Sequence, residues 1–211
     1  MSLWVKICGV TSAEEALLAV DAGADAVGIN LVPASKRCVD AGTARAIAAA
    51  VHGRAEVVLV VADRPTEELV ELRAMTGADW LQLHGAEPPE ALEALLPGAY
   101  KVVHVASPED VAAARRYAGA RVLCDTKVDG LLGGSGQRFD WSLVRELSAT
   151  RSLIVAGGLR PDNVGDAVRA LAPFGVDTAS GVEGDDPRRK DPDKVRAFVR
   201  EARRAAAERA G

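Results

Sequence analysis

The sequence predicts an α/β fold, a single-domain (β/α)8 or TIM barrel. Eight short β-rich apolar runs alternate with longer segments of helical periodicity. The repeat is roughly 26 residues, the spacing a compact βα barrel needs. No linker, low-complexity stretch or break in composition divides the 211 residues, so 1–211 reads as one barrel domain.

The predicted strands are 3–8, 26–31, 56–62, 80–84, 100–105, 121–125, 152–156 and 175–178. Several are near-continuous apolar runs, as in parallel strands covered on both faces, and Val57-Val58-Leu59-Val60-Val61 is the clearest. Between them, Leu92, Leu95 and Leu96 share a helical face. So do Val164, Ala167, Val168 and Leu171, and then Val195, Phe198, Val199 and Ala202. Helix starts agree in phase. Ser12 with Glu15 makes a capping box, and Ser107-Pro108 and Asp191-Pro192 set a cap residue before a first-turn proline. Alternation alone also fits an open, doubly wound sheet. The first strand is not followed by GxGxxG, which argues against a dinucleotide fold.

Composition bounds the partners. Apolar residues are 48% and charged residues 27%, values of a globular chain with a sizeable core. The net charge of −4 gives no reason to expect nucleic acid or a membrane surface as partner. No apolar run approaches the roughly 18 residues of a membrane span, and the N-terminus lacks a secretory pattern. Cys8, Cys38 and Cys124 are odd in number and scattered, with no CxxC pair, so neither a disulfide framework nor a zinc site is expected. The compartment reads as reducing cytoplasm.

In a βα barrel the site lies at the C-terminal ends of the strands. Strand 1 ends at Cys8, and Gly9-Val10-Thr11 leads into the helix capped by Ser12. The positive end of that helix would favour a thiolate, although a free cysteine is also commonly a small buried hydrophobe. Strand 6 ends at Asp125. A carboxylate closing an apolar strand is hard to explain as packing, though it could pair with Lys127. Its neighbour Cys124 should point to the other face. The segment 130–137 is glycine-rich and reads as a lid or an ordinary long loop, and Trp141 reads as core.

Gly157-Gly158 after strand 7 and Ser180-Gly181 after strand 8 occupy the loops where barrels hold phosphate on backbone N–H groups. Ser35-Lys36-Arg37 follows strand 2. The Arg37 guanidinium could hold a carboxylate bidentately, or the loop could be a solvated basic turn. His84 reads as a satisfied structural histidine.

Taken together these segments resemble the phosphoribosylanthranilate isomerase family. The resemblance rests on Val5-Lys6-Ile7-Cys8-Gly9-Val10-Thr11, Gly23 to Gly28, Pro33 to Arg37, Gln82-Leu83-His84-Gly85, Asp125-Thr126-Lys127, Gly133-Gly134-Ser135-Gly136 with Phe139-Asp140-Trp141, Ala156 to Leu159 with Asn163-Val164, and Asp177 to Glu183. They occur in the family's order over nearly the whole chain. The resemblance implies an Amadori rearrangement of tryptophan biosynthesis, from N-(5-phosphoribosyl)anthranilate to 1-(2-carboxyphenylamino)-1-deoxyribulose 5-phosphate. It makes Cys8 the general base and Asp125 the general acid, acting from opposite sides of the barrel mouth. Asp125 would then have to carry its proton at neutral pH. The resemblance sets Arg37 on the substrate carboxylate and Gly157, Gly158, Ser180 and Gly181 on the phosphate. It implies no cofactor and no metal, a small-molecule phosphosugar as partner, and a monomer or homodimer.

The chain departs from the family pattern at Gly28-Ile29-Asn30-Leu31, where aromatic residues are usual, and at Val58-Leu59-Val60, where a glycine and a phenylalanine are common. It also carries His104 where a small residue is expected. These positions bear on how an aromatic ring packs, not on the acid–base pair. Two other readings stay open. Another phosphosugar barrel, such as an indoleglycerol-phosphate or thiamine-phosphate synthase, would keep the glycine loops but call for further lysine or glutamate catalysts. A non-enzymatic phosphate-binding barrel would tolerate loss of Cys8 or Asp125.

Overall fold

The structure, a computed structural model, describes residues 2–105, 107–125, 142–148 and 150–210. Lys127, the glycine-rich segment 130–137 and Trp141 lie outside the described residues. In chain order the elements are β1 (Trp4–Cys8), α1 (Ala13–Asp21), β2 (Ala26–Asn30), α2 (Ala41–Val51), β3 (Glu56–Val61), α3 (Thr66–Thr76), β4 (Trp80–Leu83) and α4 (Pro89–Glu93). They continue with β5 (Ala99–His104), α5 (Pro108–Ala114), β6 (Arg121–Asp125), α6 (Ser142–Ser148), β7 (Ser152–Ala156), α7 (Val164–Leu171), β8 (Gly175–Thr178) and α8 (Pro192–Ala210). Every strand pairs in parallel with its sequence neighbours. β1 pairs with β8 from Trp4↔Gly175 to Ile7↔Thr178, so the sheet closes into a barrel and the open-sheet alternative falls.

Strand alternation sorts side chains into two cores. Val5, Ile7, Val27, Ile29, Leu59, Leu81, Val122, Cys124, Leu153, Val155 and Val176 face outward and pack under the helices in one continuous cluster. Cys124 therefore points away from the barrel axis, as its position beside Asp125 predicts. Burying each such aliphatic side chain is worth about 1.5–3 kcal/mol, and this layer is what holds helices to sheet. A smaller cluster of Trp4, Ala26, Val58, Tyr100, Val102, Leu123, Ile154 and Ala156 fills the interior.

The interior is plugged at its N-terminal end. The Arg121 guanidinium lies 4.0 Å from the Trp80 ring centre and within 5.3 Å of those of Trp4 and Phe174. Glu56 receives both Arg121 amino groups, at 2.8 and 3.0 Å, and the Trp4 indole N–H at 3.0 Å. The site must therefore open at the other end.

Two local expectations need correction. The helix expected to carry Leu92, Leu95 and Leu96 stops at Glu93, because Pro97 restricts the residue before it and ends the helical run. Leu92 and Leu95 are still buried, the second from the following turn. The Ser12–Glu15 capping box is half made. Ser12 Oγ accepts the Glu15 N–H, but the Glu15 carboxylate receives the Thr11 N–H at 2.8 Å and the Lys190 N–H at 2.8 Å instead of the cap's own. The reciprocal box forms at Ser107, with Asp110.

Candidate active site

At the C-terminal ends of the strands lies a cavity of about 650 Å³. Its wall includes Cys8, Asn30, Arg37, Val60, Gln82, His84, Asp125, Gly157, Gly158, Asp177 and Ser180. Six of the seven sequence-predicted site residues thus share one space. The seventh, Gly181, sits behind it against the β7 loop.

Cys8 and Asp125 face each other across the mouth, one strand short of diametric. The ring order β6–β7–β8–β1 sets them three strands apart, with both glycine loops in the arc between. Cys8 is buried, while the Asp125 side chain keeps 26% of its surface exposed. Burial pushes the Cys8 thiol up, and the Lys6 and Lys190 ammonium groups pull it back in part. The charge beside the sulfur therefore comes from buried lysines, since α1 begins only at Ala13, five residues on.

Arg37 reaches the cavity from the β2–α2 segment by crossing directly over Gly9. A methyl group on Gly9 would lie 2.3 Å from Arg37 Cδ, and Gly9 has φ +72°, so both space and backbone require glycine there. The guanidinium Nε donates to Glu183 Oε1. Lys190 stands 3.5 Å and Lys36 4.0 Å from the same carboxylate. Although burial opposes ionisation, the Arg37 hydrogen bond and these cations hold the Glu183 carboxyl below the usual range. Arg188 donates to the Lys36 carbonyl at 3.0 Å and ties this segment to the β8 end.

The two glycine loops are pinned to each other. Gly157 and Gly158 have φ +96° and +64°, which only glycine adopts without strain. Thr178 Oγ1 donates to the Leu159 carbonyl at 2.7 Å, and a methyl group on Gly181 would lie 1.9 Å from that same oxygen. Asn163 donates to the Gly158 carbonyl at 3.0 Å and accepts the Arg160 N–H at 2.7 Å. Two fixed turns thus stand side by side at the ends of β7 and β8.

The departures noted in the sequence gather here too. Asn30 and Val60 line the cavity. The His104 ring meets His84 edge-on at 5.5 Å, and its Nδ1 is 3.9 Å from Asp125 Oδ2. His84 is not the satisfied structural histidine expected. It faces the cavity, and its Nδ1 has no hydrogen-bond partner among the described residues. Burial, with His104 beside it, holds the imidazole below its usual range, so the ring is neutral near pH 7.

Sequence reasoning missed the polar layer beneath Cys8. Lys6 has no exposed surface and donates to Asp177 Oδ2 at 2.8 Å and Gln82 Oε1 at 3.0 Å. Tyr100 also donates to Gln82 Oε1, at 2.9 Å. The available signal was parity, for Lys6 is two residues from the inward-facing Cys8 and shares its face. Among the described residues no group of three or more His, Cys, Asp or Glu side chains could hold a metal ion. No helix among them is long and apolar enough to cross a membrane.

Closed topology, a plugged N-terminal end and a polar mouth with paired glycine turns at β7 and β8 define a class, the (β/α)8-barrel enzymes that work at the strand ends. Comparison narrows it. The family model described as N-(5'phosphoribosyl)anthranilate (PRA) isomerase matches residues 5–201, and the chain belongs to that family. It is 44% identical over 207 residues to the N-(5'-phosphoribosyl)anthranilate isomerase of Myxococcus xanthus, covering 96% of this chain and 97% of that one. Among solved structures it resembles the phosphoribosyl anthranilate isomerase of Thermotoga maritima, with a TM-score of 0.85 and 36% identity over 95% of this chain and 98% of that one. It also resembles a phosphoribosyl anthranilate isomerase in complex with reduced 1-(o-carboxyphenylamino)-1-deoxyribulose 5-phosphate. There the TM-score is 0.83, with 34% identity over 95% and 98% of the two chains.

Proposed function

We propose that this chain isomerises N-(5-phosphoribosyl)anthranilate to 1-(2-carboxyphenylamino)-1-deoxyribulose 5-phosphate as a single catalytic domain. The observation that carries the reading is the convergence of Cys8, Asp125, Arg37 and the β7 and β8 glycine turns on one cavity.

In this reading the substrate phosphate sits on the N–H groups around Gly157, Gly158, Ser180 and Gly181, and the anthranilate carboxylate meets Arg37, which Glu183 steadies. The sugar then spans the arc between β6 and β1. Protonated Asp125 gives its proton to the furanose ring oxygen. The bond from that oxygen to C1 breaks, and the nitrogen lone pair forms the C1=N bond of an iminium ion. That ion acidifies C2–H, and the Cys8 thiolate takes the proton, leaving the C1=C2 enolamine. Loss of the enol proton and protonation at C1 give the ketone. The sequence of transfers needs no covalent enzyme intermediate.

The partner is this phosphosugar, and neither nucleic acid nor a membrane has a place in the reading. A monomer or homodimer both fit it, and a reducing cytoplasm suits the three unpaired thiols. The test is turnover of freshly made phosphoribosylanthranilate by purified protein. Cys8→Ser and Asp125→Asn should each lower kcat by about 10²–10⁴-fold with little change in KM. Near-wild-type turnover by either variant removes that residue from the mechanism.

A further inference from the structure

We propose that Lys6 is the positioning residue for Cys8, its ammonium serving as the buried counter-charge of the Cys8 thiolate. The inference deepens the reading above and rests on its assignment of Cys8 as base.

Three observations meet at one point. First, Lys6 and Cys8 are two residues apart on β1, so both side chains enter the barrel from the same strand face. Second, a methyl group on Gly28, the β2 partner of Cys8, would lie 2.7 Å from Cys8 Sγ and 2.9 Å from Lys6 Cε. The sulfur and the end of the lysine stem therefore share one small space, left open by glycine. Third, an ammonium has three N–H donors. Asp177 and Gln82 take two, and the third has no oxygen or nitrogen acceptor among the described residues.

The charge state follows from the surroundings. Burial opposes the Lys6 charge, but Asp177, Cys8 and Tyr100 more than offset it and hold the ammonium well above its ordinary range. Burial pushes the Asp177 carboxyl up as well, against the pull of Lys6. The 2.8 Å contact favours the ionised pair. The charged or titratable groups around Cys8 are Lys6 from β1, Asp177 from β8, Tyr100 from β5, Lys190 from the segment before α8 and Arg37 above Gly9. Lys190 already has the Glu183 carboxylate and the Ala179 carbonyl, and Arg37 has Glu183. Of these cations, Lys6 is the one that shares the strand face of Cys8 and the space at Gly28.

The test reads the thiol directly. In a Cys38→Ser background, which removes the half-buried thiol, the rate of Cys8 alkylation by iodoacetamide is followed against pH by mass spectrometry. An adjacent opposite charge typically moves a titration by about 1–3 pH units. Lys6→Met should therefore raise the alkylation midpoint by at least about one unit and slow the reaction at pH 7.5 by about tenfold or more. Lys6→Arg should restore most of the loss. An unchanged midpoint in folded Lys6→Met overturns the proposal. Because Lys6→Met strands Asp177 and could fail to fold, the wild-type protein supplies a second measurement. The Lys6 15Nζ resonance should shift with the midpoint of Cys8 alkylation, and the shift should vanish in Cys8→Ser. A resonance that stays still through that titration overturns the proposal equally. If Cys8→Ser turns over normally the base assignment fails, whereas a lost turnover with unchanged alkylation in Lys6→Met sinks only the counter-charge.

Discussion

Substituting Gly181 by alanine isolates the distance between the two glycine turns. Gly181 does not have a positive φ, so alanine brings no backbone penalty there, only a methyl group. That methyl would stand 1.9 Å from the Leu159 carbonyl oxygen and 2.8 Å from Thr178 Oγ1. Ordinary van der Waals contact needs roughly 3.4 Å or more, so the β7 and β8 turns must part by about 1.5 Å. The Thr178–Leu159 hydrogen bond, 2.7 Å long, is lost in the process. A misplacement of about 1 Å in a positioning group can cost 10²-fold, and overpacking typically costs about 1–3 kcal/mol of stability. We expect kcat/KM for phosphoribosylanthranilate to fall by about 10–100-fold, chiefly through KM, and inhibition by inorganic phosphate to weaken in parallel. Steady-state kinetics, phosphate inhibition and a thermal melt measure the three quantities. If KM and phosphate inhibition are unchanged in a folded Gly181→Ala protein, the phosphate is not held between these turns.

Arg37→Ala should raise KM by about 10-fold or more with a smaller loss of kcat, because it removes a charge-assisted clamp remote from the reacting carbons; an unaltered KM would mean the carboxylate binds elsewhere. Because burial holds the Cys8 thiol above its ordinary value near ~8.5, kcat/KM should still be rising above pH 8; a pH profile whose acid limb is complete below pH 7 would show that a group other than Cys8 must lose the proton. At the far end of the barrel, Arg121→Met should lower stability by about 2–4 kcal/mol in urea unfolding while leaving KM unchanged, since it unpairs Glu56 and empties the space between three rings. Against burial, Arg121 holds the Glu56 carboxyl below its usual range, so this stability is present above pH ~4.3 and lost as pH falls further; Arg121→Met should flatten that acid dependence.

The fold was legible because two periods repeat without interruption. Strand runs such as 57–61 are apolar at every position, which only a strand covered on both faces needs, and the helical phase between them is set by polar caps. Closure was not legible. It depends on β1 meeting β8, a contact over 171 residues that alternation cannot announce. Helix ends were legible where the cap is local, as at Ser107. At Ser12 the cap was legible too, but the other half of its box was not, because Glu15 serves a distant segment through the Lys190 N–H.

The site divides along the same line. Residues at strand ends, such as Cys8 and Asp125, are found by a rule about barrels, and glycines that need positive φ, such as Gly157, mark loops by themselves. Residues whose task is to hold another side chain carry no such mark. Glu183 looks like one more acidic residue until Arg37 is seen crossing Gly9 to reach it from 146 positions away. Lys6 is the sharper case. A lysine inside a strand reads as an edge or a solvent face, yet here it has no exposed surface and its two oxygen acceptors come from β4 and β8. Breaking such a buried pair by removing one partner typically costs about 3–5 kcal/mol, whereas replacing both members by well-packed apolar residues is often neutral or stabilising. A barrel selected for stability alone would therefore fill this layer with valine and leucine, as its neighbours Val58, Val102 and Ile154 do. That Gln82, Tyr100 and Asp177 join into one connected set whose cation lies on the strand face of Cys8 argues that the ion pair is kept for what it does to the sulfur above it.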